Sequence, residues 1–132
     1  MKKASELISR ETPYQDACAL EGRTPLTLEQ FAFLPEEEKK AAFCLHKIHT
    51  VIRVVKQGRK FNYNDIKEWK YSAWFRMHDK QGEEPGSGFA YYVCADTATL
   101  TGVGARLCSF SSEDTKYIAE VMLEDFRTYY KE

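Results

Sequence analysis

Ten residues, Trp69 to His78, alternate between two kinds of side chain, and that alternation limits the chain to folds containing a sheet. Trp69, Tyr71, Ala73, Phe75 and Met77 share one parity, and Lys70, Ser72, Trp74, Arg76 and His78 share the other. A period of two over this length is the pattern of a strand with one buried face. Two further stretches, Phe89–Ala95 and Ala105–Phe110, read as strands beside it. The polar, Gly- and Pro-rich DKQGEEPGSG forms a long hairpin tip between the first two.

Helices flank this unit. Pro35 opens the clearest one, because its missing N–H falls where no helical acceptor is needed, and Glu36, Glu37 and Glu38 follow at the positive helix end. Ala41, Leu45, Ile48, Ile52 and Val55 keep the spacing of an apolar stripe, with Cys44 and Val51 beside it. Arg53, Lys56 and Arg59 crowd the far end and Gly58 closes it, which predicts a helix over Glu36–Gln57. Ser111 or Ser112 caps a last helix, whose inner face is Ile118, Met122, Phe126 and Tyr129. Before Pro35, Tyr14–Leu20 reads as a short helix ending at Gly22, and Thr27 with Gln30 as a capping box. Met1–Arg23 is the least regular part, and residues 1–13 are expected to be poorly ordered.

These elements give an α+β fold in a single domain spanning residues 1–132. A three-stranded, mostly antiparallel sheet carries the long helix and the C-terminal helix on one face, with a short helical N-terminal segment. Helices on one side leave the other sheet face open or self-paired, so a homo-oligomer is expected. The predicted core joins Trp69, Tyr71 and Phe75 to Leu45, Ile48, Ile52, Ile118, Met122 and Phe126.

The segments LTLEQ and LPEEEK, the helix ending in Gly, then EWKYSAWFRM, GSGFAYY, GARLCSFSSE and DFRTYY follow a recognisable order. With the DAC segment at Asp16–Cys18, this order resembles a family of small uncharacterised proteins from bacteriophages and mobile elements of gut bacteria. Its most specific pieces are KYxxWF (Lys70, Tyr71, Trp74, Phe75) and G-x-RLC (Gly104, Arg106, Leu107, Cys108). Where the family pattern has Pro before the Trp, this chain has Ala73. The resemblance implies a phage-type accessory role and supplies no activity, cofactor or catalytic residue.

The chemistry-bearing residues form few constellations. His46 and His49 could share a helix face, but no carboxylate at matching spacing completes a metal site, and no H-E-x-x-H occurs. TGVGAR contains G-x-G yet feeds a strand, whereas phosphate loops feed a helix. Cys108 neighbours Arg106, but adjacent strand residues face opposite sides. No catalytic residue, metal site or cofactor is therefore assigned, and an enzyme is the third reading.

The four cysteines lie far apart and the N-terminus has no apolar signal core, which together suit free thiols in a cytoplasmic protein with no membrane partner. Charge is uneven: residues 46–80 carry a balance of +6, and residues 81–132 carry −5. On the first strand's polar face, Trp74 stands with Lys70 and Arg76, and Tyr92 or Tyr91, with Arg106, could join from neighbouring strands. Aromatic platforms beside cations stack single-stranded bases. The expectation is a non-enzymatic binding or structural module, with single-stranded nucleic acid as the alternative partner.

Overall fold

The computed structural model describes residues 2–62, 64, 65, 67–77, 89–97 and 105–131, with backbone alone for 92–97 and 105. The elements are α1 (Ala4–Leu7), α2 (Pro13–Glu21), a 3-10 turn (Leu28–Phe31), α3 (Glu36–Lys56), β1 (Lys70–Arg76), β2 (Ala90–Thr97), a second 3-10 turn (Ala105–Leu107), α4 (Ser112–Val121) and α5 (Leu123–Lys131). Helices dominate an α+β arrangement built around a small antiparallel sheet. No described helix is long and apolar enough to cross a membrane.

α3 forms as its sequence dictates. Three glutamates fill its first turn, Arg53 and Lys56 its last, and Ile48, Val51, Ile52 and Val55 are buried along one side. It ends on two successive left-handed residues, Gln57 (φ 53°) and Gly58 (φ 81°). Glycine adopts that conformation without strain, and Gln57 does so one position earlier than the composition suggests. α2 ends at Gly22 (φ 69°), and Thr27 and Gln30 close the expected capping box.

β1 and β2 pair from Lys70↔Thr97 to Arg76↔Ala90, with a register shift between Trp74 and Phe75. The expected third strand is not present among the described residues. Ala105–Leu107 is a 3-10 turn, and only Ser109 pairs with β1, exchanging two backbone hydrogen bonds with Tyr71 at 2.8 and 3.1 Å. The burial pattern explains this: Cys108 and Ser109 are consecutive buried residues, which a half-buried strand cannot supply. Ser111 then caps α4 by accepting from the Asp114 N–H, which leaves no extended chain to lengthen the pairing.

The sheet rests on α4 and on Phe126 of α5, while α3 packs against α5, α2 and the two 3-10 turns. The expectation that both long helices cover the sheet is thus only partly met. α3 approaches β1 where Ile52 and Ala73 line one small void with Leu107, Ser109, Thr115, Ile118 and Phe126. The single C-terminal helix is in fact two. Met122 leaves helical geometry at φ −107°, ψ 20°, although its N–H still donates to the Ile118 carbonyl. This bend lets α5 lie along α3, and Ile118, Met122 and Phe126 all stay buried.

Trp69 does not join the core; it is 51% exposed, because pairing begins one residue later at Lys70. Tyr71 and Leu45 are half-buried. The N-terminal segment contributes more than its composition promised. Ala4 and Ile8 are fully buried, the Ala4 N–H donates to the buried Asp114 carboxylate at 2.9 Å, and the Tyr117 hydroxyl donates to the Ile8 carbonyl at 2.8 Å.

Two changes test this packing. Phe75 stacks on Phe89 at 4.9 Å and meets Phe126 at 4.7 Å, so Phe75→Ala should cost about 3–5 kcal/mol in chemical denaturation. Asp114→Ala removes the acceptor of a buried N–H and should cost about 1–3 kcal/mol. A loss under about 0.5 kcal/mol would mean that residues 2–8 do not dock on α4 in solution.

Candidate functional surfaces

The residues singled out on β1 separate into two environments. Lys70 is 3% exposed; its ammonium donates to the Glu68 carbonyl at 3.2 Å and lies 5.7 Å from the Phe61 ring. Ser72 is buried beside it. Trp74, four residues on and of the same parity, is 58% exposed. The outer sheet face is therefore covered at one end and open at the other. Trp74 lines a shallow groove of about 240 Å³ with Ala73, Phe75, Met77 and Tyr130, and Met77 and Tyr130 are also exposed.

Arg76 ends β1 half-buried, two residues beyond Trp74. Arg106 does not stand on a sheet face. It projects from the second 3-10 turn into a cavity shared with His49, Ile52, Arg53 and Lys56 of α3. The structure thus leaves Trp74 exposed, withdraws Lys70 and moves Arg106 to the α3 side, and Arg76 is not among the described residues that line the Trp74 groove. The Tyr92 side chain, His78, the hairpin tip and the G-x-G of Gly102 and Gly104 lie outside the described residues.

An aromatic stack holds the end of α3. Phe61 and Phe110 stack at 4.2 Å, with the Arg59 guanidinium 4.4 Å from the Phe110 ring and the Lys56 ammonium 5.5 Å from the Phe61 ring. Cations over ring faces are attracted by the ring quadrupole, which draws the connector after α3 onto the segment before α4.

The titrating groups that depart most from ordinary behaviour have structural causes. Glu21 is held down to about 2, first by the Arg53 guanidinium, which donates from Nε and Nη2 at 2.7 and 2.9 Å, and then by Arg23. Burial raises the Cys44 thiol to about 11, with the Asp125 carboxylate adding to the effect, so it stays protonated. Cys18, Cys44 and Cys108 are buried free thiols, and Cys94 falls among residues whose side chains are not described. His46 is committed to Tyr14 at 2.9 Å. The Leu26 N–H already donates to the Tyr14 oxygen, which leaves the phenol hydrogen for a neutral His46. Among the described residues no three His, Cys, Asp or Glu side chains converge on a metal-sized point.

A scan against family models finds no match, and no curated protein or solved structure shows significant similarity to the chain.

The Glu21–Arg53 pair joins α2 to α3 and carries a pH signature. A carboxylate depressed from 4.5 to about 2 adds stability that is present above about pH 4.5 and is lost as pH falls towards 2. Half of Arg53 is exposed, so screening reduces the effect to about 1 kcal/mol. Glu21→Gln should then be less stable than the parent at pH 6, and the gap should close as both are acidified. A gap unchanged down to pH 2.5 would rule out this pair as its source.

Proposed function

We propose that the chain is a non-enzymatic binding module of the accessory kind its phage-type resemblance implies, and that its ligand is single-stranded nucleic acid. The open Trp74 surface carries this reading. Both tryptophans of the chain are more than half exposed, Trp74 shares its groove with Met77 and Tyr130, and Arg76 follows two residues on along the strand. Burying an indole would stabilise a small domain by about 1.5–3 kcal/mol, so an exposed one at the lip of an aromatic groove is better explained by a ligand.

A base stacks on an aromatic face without regard to its identity, and Trp74 and Tyr130 offer two such faces. The basic balance of residues 46–80 supplies a favourable field, although Lys70 is spent inside the fold and Arg106 belongs to a separate cavity. The acidic C-terminal third opposes binding, which limits affinity to the micromolar range at best. The groove is shallow and its lining apolar, which suits stacking better than covalent chemistry.

Fluorescence anisotropy with a labelled single-stranded oligonucleotide tests the reading. Binding should appear at low salt, weaken as salt rises, and fall about tenfold in Trp74→Ala. Absence of binding at low salt, or equal affinity in a folded Trp74→Ala protein, would reject it. If the same variant instead abolished self-association in sedimentation, the patch would belong to a contact with a second copy.

A further inference from the structure

His49, Arg53 and Lys56 stand at i, i+4 and i+7 on α3 and so share one face of the helix. Arg106 reaches the same place from the second 3-10 turn, and with Ile52 these four enclose a cavity of about 270 Å³. Among the described residues, no acidic side chain lines it. Glu21, from α2, takes Arg53 by Nε and Nη2 on one edge of the guanidinium, and Nη1 lies outside that bidentate pair. Two guanidiniums, an ammonium and an imidazole therefore meet around one recess.

The helix end does not account for this gathering. Its partial negative charge favours cations in the last turn, where Arg53 and Lys56 sit. The effect fades within that turn, and His49 stands about two turns from the end, while Arg106 comes from another element. The gathering is unfavourable as it stands. Burial, and after it the charges of Arg106, His46, Arg53 and Lys56, hold His49 below the ordinary histidine value. Burial and Arg53 do the same to Lys56, partly offset by Cys108. A bound anion would relieve both.

We propose that this cavity is a binding site for a doubly charged tetrahedral oxyanion, a phosphate group held by Arg106, His49 and the free edge of Arg53. Its volume lies just below the roughly 300–1,000 Å³ of sites that enclose whole small molecules, so it receives the phosphate and leaves any organic substituent outside. Guanidinium is the side chain best matched to phosphate, since its planar fork donates two parallel hydrogen bonds. Lys56 contributes field from the flank, near the Phe61 ring. The site shares no residue with the Trp74 groove, so the two readings stand or fall separately.

The test is a titration of the full chain with inorganic phosphate, followed through the His49 ring signals by NMR. The signals should move and saturate, and Arg106→Gln should weaken binding about tenfold. Arg106 is exposed, so that variant should melt as the parent does. Sulfate, which keeps its double charge, isolates the histidine: its affinity should rise as pH falls and His49 takes up its proton, because an anion and a proton on the imidazole favour each other. His49→Gln should flatten that dependence. On the other charged neighbours, Lys47 is engaged by Asp125 of α5 at 2.6 Å and His46 by Tyr14, so neither reproduces it. Tighter binding of phenyl phosphate than of inorganic phosphate would identify a phosphorylated organic ligand, and the reverse would identify the free oxyanion. A response that never saturates, that chloride at equal ionic strength reproduces, or that survives both substitutions would overturn the proposal.

Discussion

The sheet depends on one aromatic joint. Two strands paired alone are marginal in water, and here the ladder is also interrupted between Trp74 and Phe75. Phe75 resolves this by entering the helical layer, where it lies within 6 Å of the ring centres of Phe89, Phe126 and Tyr130. On the opposite edge of β1, the bridge to Ser109 and the Thr115 hydroxyl donating to the Tyr71 carbonyl tie the strand to the start of α4. Trp74, on the far side of that interruption, is left 58% exposed.

The second constraint joins the chain's ends. α1 has four residues, too few to persist as an isolated helix. It exists because α4 receives it: the buried Asp114 carboxylate accepts from Ala4, Tyr117 donates to Ile8, and Arg10 lies 5.0 Å from the Tyr117 ring. Gln57 at the end of α3 donates to the Lys2 carbonyl. Residues that are remote in sequence thus complete the core around Ile8, Val51, Val55 and Ile118, and the end of α3 is fixed from that side as well as by the Phe61–Phe110 stack.

Much of the helical part was legible in the sequence because its signals are local. Pro35, the glutamates after it, the Ile48–Ile52–Val55 stripe and Gly58 near the end all act within a turn or two. What escaped depends on partners far along the chain. No local pattern marks Met122 as a bend, since Ile118, Met122 and Phe126 form one continuous stripe across it. The docking of Ala4 and Ile8 is decided by Asp114 and Tyr117, more than a hundred residues away. GARLCSF reads as a strand by composition, yet Leu107 is drawn toward the helices and only Ser109 stays extended enough to pair. Alternation on β1 correctly named Phe75 as inward, but it ran past the ladder, taking in Trp69 before it and Met77 and His78 after it. Of the candidate site, Trp74 was placed by parity alone, whereas Arg106 was assigned to a sheet its segment does not join.

One departure from hydrophobic ordering pairs a buried charge with an exposed indole on one face of one strand. Lys70 is buried and Trp74 is exposed, although burying the indole and solvating the ammonium would cost the fold less. Lys70 has a local cause: the Glu68 carbonyl and the Phe61 ring receive it, and with it the connector closes over that end of the sheet. Among the described residues, no such partner holds Trp74. Its neighbours Met77 and Tyr130 are exposed too, so the open end is a patch of three large side chains and not a single misplaced residue. A contiguous patch of exposed large apolar side chains points to contact with something outside the chain. The same logic applies to the crowded cations at His49 and Arg106. Each is a local arrangement that the fold's own stability does not require, and each becomes favourable once a complementary ligand is present.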